Sequence, residues 1–270
     1  MKTRSIESKQ NPRLKQLRRA LTHPAQRPGE LAGIEGPNLV EEALHAGLRV
    51  DSIFVADGHE ALLEPLPLDP ETEVLLLDRA LLNSALTTEA PQPIAALVEP
   101  PFFGWEDLLP AGKTPLLLVL AGVQDPGNLG TILRSAEAFG ATGVVALPGT
   151  VSPWNTKSIR ASAGSFFRLP FLTCSVVECF AKLNAAGVHI WTTDVREAQP
   201  APAADLAQPT AILIGNEGNG VPAAIAARAH AALTIPCPGP VESLNAAVAA
   251  SILLYEASCQ RATGKKKGAR

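Results

Sequence analysis

The sequence predicts an α/β protein of two domains. Its 270 residues exceed the ~150 residues of a typical single domain, so two hydrophobic cores are expected. Hydrophobic residues make up 46% of the chain and charged residues 18%, a composition that excludes wholesale disorder. Apolar strands alternate with helical segments in both halves, which is the pattern of βαβ units.

The N-terminal segment, residues 1–29, is basic. The first 30 residues carry eight Lys or Arg side chains against two acids, although the whole chain has a net charge of −3. Ser8–Pro12 predicts a helix cap and a turn. A short basic helix with one apolar edge is predicted next, because two cations and two leucines recur there at helical spacing: Arg13, Leu14, Leu17 and Arg18.

Residues 30–99 predict a first, smaller α/β domain. Ala32–Glu35 is a short apolar strand, and Pro37 opens a helix that ends at Gly47. A second helix is predicted near residues 79–86. Three more strands are predicted, at Val50–Val55, Val74–Leu77 and Ile94–Val98. Residues 100–115 are dense in proline and glycine and predict a linker.

Residues 116–260 predict a second domain with a mainly parallel sheet. Leu116–Leu120 is a continuous apolar run, as expected of a parallel strand that is buried on both faces. Further strands are predicted at Val144–Leu147, 169–173, 188–193, 211–214 and 232–235. Helices are predicted at 129–139, 175–186, 222–229 and 243–258. The basic residues 261–270 are expected to form a solvated tail.

Several protein classes are excluded at this stage. The longest apolar run, Leu116–Val123, is far shorter than the ~20 residues of a membrane helix. Residues 1–30 lack the apolar core of a signal peptide, so a cytoplasmic protein is expected. The four cysteines have no metal-binding spacing and are expected to be buried thiols in a reducing compartment: Cys174, Cys179, Cys237 and Cys259.

Three predicted turns share one arrangement, in which an apolar strand leads through a Gly-, Asn- or Pro-rich loop into a helix. In open α/β sheets, ligands bind at such turns, outside the carboxyl ends of the strands. The first turn is Gln124–Gly130, where Asn128 is a candidate helix cap and Gly130 allows close backbone approach. Arg134 follows on the second turn of the same helix.

The second turn is Gly215–Gly220, and its three glycines expose backbone amides to a ligand. Gly218–Ala223 also satisfies a dinucleotide-binding pattern, which leaves a nicotinamide-dependent enzyme as one alternative. A plain tight turn is favoured, because the pattern comes late in the domain and no acid follows at the required spacing. The third turn runs from Ile235 to Asn245, with Ser243 as a candidate N-cap of an alanine-rich helix.

In this order and spacing, the three turns resemble the motifs of the SpoU family of RNA ribose 2′-O-methyltransferases, in the SPOUT superfamily. The first motif is similar to Asn128-x-Gly130-x-x-x-Arg134, and the second to Ile214-Gly215-Asn216-Glu217-Gly218-x-Gly220. The third is similar to Ile235-Pro236 followed by Ser243-Leu244-Asn245. Arg160–Ser165, Glu35-Gly36-Pro37, Glu41–Leu44 and Pro91-Gln92 also resemble family segments, so the resemblance covers nearly the whole chain.

The resemblance implies a C-terminal domain tied in a deep trefoil knot, preceded by a ribosomal-protein-like domain that binds the RNA substrate. It also implies S-adenosyl-L-methionine as the cofactor and no metal. The cofactor contacts implied by the motifs are Gly215, Asn216, Gly218, Ile235, Leu244 and Asn245. The resemblance further implies a homodimer, for which the helix at 244–258 and the first-motif helix are the candidate contact faces.

The resemblance places Arg134 at the family's catalytic position. Because arginine stays protonated in proteins, we expect it to polarise the ribose hydroxyl rather than to act as a base. Asn128, Glu217, Ser243 and Asn245 are expected to shape the site around it. Six cations are candidates for RNA phosphate contacts, with ribosomal RNA favoured over tRNA: Arg13, Lys15, Arg18, Lys157, Arg160 and Arg168. A catalytically silent RNA-binding protein on the same scaffold is the alternative.

Overall fold

A computed structural model describes residues 2–25, 27, 29–194, 198–240 and 243–267. The contacts divide the chain into two compact units, the first comprising Met1–Phe102 and Ser152–Arg168, the second Phe103–Val151 and Leu169–Arg270. The segment Ser152–Arg168 therefore packs with the first unit, although the sequence predicts it within the second domain, residues 116–260. The domain boundaries drawn from the sequence remain a prediction.

The first unit contains a five-stranded mixed sheet in the order β1-β4-β3-β5-β2. Strands β1, β4 and β3 are mutually parallel, whereas β5 pairs antiparallel with both β3 and β2. The elements are β1 (Lys2–Ile6), α1 (Pro12–Thr22), β2 (Ala32–Glu35), α2 (Pro37–His45), β3 (Val50–Ala56), β4 (Glu73–Leu77), α3 (Arg79–Asn83) and β5 (Ile94–Val98), with α6 (Thr156–Ser162) from the later segment.

Helix α1 confirms the predicted basic helix. The Asn11 side chain accepts a hydrogen bond from the Arg13 amide and caps the helix, and Pro12 occupies the first turn, where its missing N–H costs nothing. The apolar edge is buried against the sheet, and its members are Leu14, Leu17, Ala20 and Leu21. The strand β1 was not predicted, because Lys2–Ile6 carries no apolar run.

The second unit contains a seven-stranded sheet in the order β10-β12-β9-β11-β6-β7-β8. Every strand pair is parallel, which confirms the predicted parallel sheet. The elements are α4 (Trp105–Leu108), β6 (Leu116–Ala121), α5 (Pro126–Ala138), β7 (Gly143–Ala146), β8 (Phe171–Thr173), α7 (Val176–Ala185), β9 (His189–Thr193), β10 (Gln199–Pro200), β11 (Thr210–Gly215), α8 (Ala223–Ala226), β12 (Ala231–Thr234) and α9 (Ala246–Lys267). All residues of β6 and β11 are buried, as the apolar runs indicate.

Two predicted helix caps are wrong. Asp125, not Asn128, caps α5, and its carboxylate accepts from the Asn128 amide at 2.8 Å. Pro126 after Asp125 favours this earlier start, since proline fits the first helical turn. At α9, Asn245 replaces Ser243 as the capping side chain, because its Oδ1 accepts from Ala247 N at 2.9 Å.

The prediction of a solvated basic tail from residue 261 is also wrong for the first residues of that segment. Helix α9 continues to Lys267, and Arg261 belongs to its ordered part. The guanidinium donates to four backbone carbonyl oxygens that precede or flank strands β6 and β11, those of Thr114, Pro115, Leu206 and Gln208. A charged donor with four carbonyl partners holds the helix against the sheet.

The cysteines differ from the expectation as well. Cys179 is buried and Cys174 half-buried, but Cys237 and Cys259 are exposed, and all four are free thiols. Cys237 follows β12 in a loop, and Cys259 lies on the outer side of α9, so neither is in a core. Within the described part of the chain, no group of three potential metal ligands is found. None of the described helices is both long and apolar enough to cross a membrane.

Candidate active site

A cavity of about 370 Å³ lies at the carboxyl ends of β9, β11 and β12. Because all strands of this sheet are parallel, their carboxyl ends meet at one edge, where α/β proteins bind ligands. The volume falls within the range of small-molecule sites, ~300–1,000 Å³. The lining comprises Thr193, Asp194, Ile214–Val221, Leu233, Thr234, Ile235, Cys237, Ser243, Leu244, Ala246, Ala249 and Leu253.

The glycine turn after β11 forms one wall of the cavity. A Cβ atom on Gly215 would lie 2.0 Å from the carbonyl carbon of Gly220, so only glycine fits there. The turn is closed by two backbone hydrogen bonds between Asn216 and Gly220. The Asn216 side chain holds the turn from inside, since its Oδ1 accepts from Gly218 N at 2.9 Å and its Nδ2 donates to the Gly122 carbonyl at 3.0 Å.

Glu217 joins this turn to the turn before α5. Its Oε1 accepts from the backbone amide of Asp125 at 3.1 Å and from Asn128 Nδ2 at 3.0 Å. Its Oε2 accepts from the Gln124 amide at 3.3 Å. One carboxylate therefore satisfies two backbone donors and one side-chain donor from a segment about 90 positions earlier in the chain.

Asn128 carries the connection on to the third turn. While its Nδ2 donates to Glu217, its Oδ1 accepts from Asn245 Nδ2 at 3.0 Å. The Asn245 Oδ1 in turn caps α9, as described above. The three turns predicted from the sequence thus meet in one chain of hydrogen bonds, Glu217–Asn128–Asn245, which we call the three-turn network.

The network also sets the charge of Glu217. Partial burial works against its ionisation, but the hydrogen bonds from Asn128 and from the backbone amides outweigh burial and hold the pKa of Glu217 below its usual value. Glu217 is therefore an anion at neutral pH, and Asn128 must present its amide group to it.

The cavity wall is suited to a cationic ligand. Asp194 and Glu217 are the acids among the described lining residues, and none of the described lining residues is a lysine or arginine, although the Glu217 oxygens accept from the turn before α5. Ile214, Leu233 and Leu253 supply apolar surface on the same cavity. A sulfonium ion attached to an aromatic base and a sugar matches this combination of negative charge, apolar wall and exposed turn amides.

Most of the predicted catalytic and cofactor-binding residues line this cavity. Glu217 and Ser243 line it, as do five of the six predicted cofactor contacts, namely Gly215, Asn216, Gly218, Ile235 and Leu244. Asn128 and Asn245 do not line it but belong to the three-turn network. Thr193, Asp194 and Cys237 were missed. Asp194 directly follows the predicted strand 188–193. Because ligands bind at the carboxyl ends of parallel strands, its position in the sequence could have identified it.

Arg134 lies on the exposed side of α5 and does not line the cavity. Among the described residues, its guanidinium has no hydrogen-bond or ion-pair partner. Helices α5 and α9 run side by side, with Ser135 Oγ 2.7 Å from Ser251 Oγ and the rings of Phe139 and Tyr255 in edge contact. Arg134 therefore stands on the outer surface of this helix pair.

All six predicted RNA contacts belong to the first unit. Arg13 is engaged within the fold, because it donates to Glu73 at 3.0 Å and to Asp51 at 2.5 Å. Arg168 forms an ion pair with Glu42. The remaining four cations are exposed: Lys15, Arg18, Lys157 and Arg160.

The lowered pKa of Glu217 predicts a pH-dependent effect on stability. In Glu217→Gln, the lost carboxylate should lower the melting temperature at pH 7, because the ionised form is stabilised by folding. The difference from wild type should close as the pH falls below the ordinary carboxyl value of 4.5 and through the lowered native pKa. Calorimetry from pH 7 to pH 3 measures this, with the exposed Glu106→Gln as control. A difference that persists unchanged at pH 3 would contradict it.

The arrangement of donors and acceptors in the three-turn network predicts that a substitution at Glu217 partly compensates for one at Asn128. Asn128→Asp places two carboxylates against each other and should lower the affinity for S-adenosylmethionine by about 10- to 100-fold. Asn128→Asp with Glu217→Gln exchanges donor and acceptor and leaves the bond from Asn245 intact, but it takes the acceptor from the Asp125 amide, so it should recover only part of that loss. Isothermal calorimetry checks both variants. A double variant as weak as the product of the two single effects would show that the network does not couple the turns.

Comparisons with known proteins agree with this geometry. The SpoU rRNA Methylase family matches residues 115–255, and the RNA 2′-O ribose methyltransferase substrate-binding family matches residues 34–103. A relative from Bacillus subtilis, the 23S rRNA (guanosine(2553)-2′-O)-methyltransferase RlmP, is 35% identical over 93% of this chain and 98% of its own length.

Solved structures show the same similarity. The AdoMet-bound rRNA methyltransferase of Sinorhizobium meliloti superposes with a TM-score of 0.81 at 28% identity, over 94% of this chain and 97% of that one. The SpoU methyltransferase AviRb of Streptomyces viridochromogenes in complex with AdoMet gives a TM-score of 0.80 at 28% identity, over 94% and 99%. With the parallel sheet, the glycine-turn cavity and the joined motifs in place, the chain belongs to the SpoU family and is an S-adenosylmethionine-dependent RNA 2′-O-methyltransferase.

Proposed function

We propose that the chain methylates a ribose 2′-hydroxyl of structured ribosomal RNA in the cytoplasm. The observation that carries the proposal is the three-turn network, which assembles the family's three motifs beside the cavity. The Bacillus subtilis relative acts on 23S rRNA by its name, which supports ribosomal RNA over tRNA. A silent RNA-binding scaffold is disfavoured, because the relatives that the chain resembles are named as methyltransferases and one such solved structure is in complex with AdoMet.

The cavity residues define how the methyl donor is held. Bound there, S-adenosylmethionine supplies an electrophilic methyl group on a positively charged sulfur. Backbone groups of Gly215, Ile235 and Leu244 would bind it, and Asn216 fixes the turn that presents them. Because the described lining holds carboxylates and no Lys or Arg, it favours the charged donor over the neutral product.

Arg134 is the proposed catalytic residue. As the new oxygen–methyl bond forms and the hydroxyl loses its proton, negative charge develops on the ribose oxygen. A guanidinium stabilises that charge but does not accept the proton, so we assign the proton to a phosphate of the RNA substrate. Asn128, Glu217, Ser243 and Asn245 are positioning residues that keep the turns, and hence the reacting groups, aligned.

The outer surface of the helix pair supports a homodimer. Three large apolar side chains lie exposed at helical spacing on α9: Val248 (47%), Ile252 (39%) and Tyr255 (57%). A second copy that covers this stripe would remove apolar surface from water. It would also bring Arg134, which stands on the same helix pair, to the dimer interface, where the partner completes the RNA-binding groove.

We also propose the trefoil knot implied by the family motifs. Two contacts support it, since the segment before α9 reaches the start of α5 through Asn245 and Asn128, and Asn216 bonds to Gly122. The exposed cations Lys15, Arg18, Lys157 and Arg160 are proposed RNA phosphate contacts, which makes RNA affinity fall with rising salt.

Methyl transfer tests the proposed function directly. Purified protein with labelled S-adenosylmethionine should methylate total RNA from a strain that lacks the gene, and mapping of 2′-O-methyl groups should place the mark in 23S rRNA. Calorimetry should show binding of S-adenosylmethionine and no binding of NAD. Cofactor binding without any transfer to RNA would support the silent scaffold instead.

Arg134→Ala should lose at least about 1,000-fold in turnover, because α5 carries no other cation to stabilise the oxyanion. Its affinity for S-adenosylmethionine should stay within twofold of wild type, since Arg134 does not line the cavity. Single-turnover methylation and calorimetry measure the two quantities. Lys182→Ala removes an exposed cation elsewhere in the same unit and should be neutral in both. Near-normal turnover in Arg134→Ala would refute the assignment.

Ile252→Glu should convert a dimer into a monomer, because it places a charge in the centre of the exposed apolar stripe. Light scattering coupled to size exclusion measures the mass of both proteins. Val177→Glu is the matched control, since Val177 is 67% exposed on α7 and lies outside the stripe. A monomeric wild-type protein, or a dimeric Ile252→Glu, would rule out this interface.

A further inference from the structure

A crevice of about 530 Å³ in the first unit lies apart from the cavity described above. It is formed by the end of β2, the first turns of α2, the loop before β5 and the end of α6. The lining comprises Glu35, Gly36, Pro37, Asn38, Leu39, Glu41, Glu42, Gln92, Arg160 and Ala163.

Glu35 is a buried acid on the wall of this crevice, with only 7% of its surface exposed. Its Oε1 accepts from Thr88 Oγ1 at 2.6 Å and from the Gln92 amide at 2.9 Å. Its Oε2 is buried and has no hydrogen-bond partner among the described residues. Since buried carboxylate oxygens nearly always have a donor, this oxygen lacks one that a ligand can supply.

The start of α2 follows Glu35 directly in the chain. No side chain caps this nine-residue helix, and Gly36 at its N-cap has a φ of 104°, a conformation that favours glycine. The positive end of the helix dipole therefore lies beside the Glu35 carboxylate. Glu35 acts there as a hydrogen-bond acceptor.

Arg160 supplies a cation on the lining of the same crevice. It extends from α6, is exposed, and forms no hydrogen bond or ion pair with any residue that the structure describes. Glu42, the other acid near it, is already paired with Arg168. Gln92 adds a carboxamide, whose Nε2 donates to the Ala90 carbonyl at 3.1 Å.

The chemistry of the crevice selects its ligand. A free anion is disfavoured by Glu35 and Glu41, and a metal ion lacks a third ligand in the described chain. A nucleotide satisfies both Glu35 and Arg160, because an amino group on its base donates to Glu35 while its phosphate meets Arg160. Unpaired RNA bases are recognised in this way, by hydrogen bonds to their edges and by arginine contacts.

We propose that this crevice binds one unpaired nucleobase of the RNA substrate that carries an amino group, with Glu35 Oε2 accepting from that group and Arg160 contacting the same nucleotide. The proposal rests on the proposed RNA substrate and extends it to a base-specific subsite. Glu35 and Gln92 discriminate between bases, whereas Arg160 contributes affinity without sequence preference.

Binding of short RNAs to the full-length protein tests the subsite. The probes are fluorescein-labelled hexamers of uridine in which the third nucleotide is adenosine, cytidine, guanosine or uridine, measured by anisotropy without S-adenosylmethionine. Wild type should bind at least one amino-bearing hexamer about tenfold more tightly than the all-uridine hexamer. N6,N6-dimethyladenosine or N4,N4-dimethylcytidine at that position should abolish the preference, because each lacks the N–H donor.

Glu35→Gln should reverse the preference. Thr88 and the Gln92 amide keep the carboxamide oxygen, so the new amino group faces the crevice and donates to a uridine carbonyl instead of accepting from an amino base. Glu71→Gln makes the same charge change at an exposed position of the unit and should bind like wild type. Arg160→Ala should weaken all hexamers by a similar factor.

Equal binding of all hexamers by wild type, insensitivity to the dimethylated bases, or an unchanged preference in folded Glu35→Gln would overturn the proposal. The dimethylated probes alone decide the outcome if Glu35→Gln does not fold. Methyl transfer to total RNA is measured separately. Methyl transfer without a base preference would support the proposed function and contradict only the subsite. A base preference without methyl transfer would support the subsite and contradict the proposed function.

Discussion

The hydrogen-bonding capacity of one amide side chain determines the arrangement of the candidate active site. Asn128 donates to Glu217 with one end and accepts from Asn245 with the other, and these partners come from segments 89 and 117 positions away. The two ends are not interchangeable, since an ionised carboxylate accepts only and the Asn245 amide donates here. The network therefore fixes three loops relative to one another, and residues of the second and third turns line the cavity.

The acidic residues of the cavity and the exposed basic residues of the first unit belong to different proposed binding sites. The described cavity lining holds Asp194 and Glu217 without a lysine or arginine, and the lowered pKa of Glu217 keeps its charge at neutral pH. The exposed candidate RNA contacts all belong to the first unit. Under the proposed assignments, a cationic methyl donor and a polyanionic RNA would be attracted by different surfaces, so RNA phosphates would not compete for the donor's cavity.

The sequence predicts the features that local residue patterns determine. It does not predict the features that depend on contacts with residues far away in the chain. The apolar run at Leu116 predicts a strand buried on both faces whatever surrounds it. Helix caps are different, because Asp125 and Asn128 are equally good capping types only three residues apart. The structure uses Asp125, since the Asn128 side chain is engaged by Glu217 and Asn245. Strand β1 is likewise defined only by its pairing with β4, not by a pattern of its own.

The position of Arg134 has a further consequence for catalysis. Arg134 is exposed on α5, and the neighbouring helix α9 carries the exposed apolar stripe of Val248, Ile252 and Tyr255. If a second copy covers that stripe, the cation loses water on one side and, among the described residues, finds no acid of its own chain in compensation. Burying an unpaired charge costs free energy, and an anion that binds beside the guanidinium removes that cost. A phosphate of the RNA is such an anion, and its arrival places the guanidinium beside the ribose that carries it. In the proposed mechanism, the substrate itself would then hold the stabilising charge of Arg134 in position.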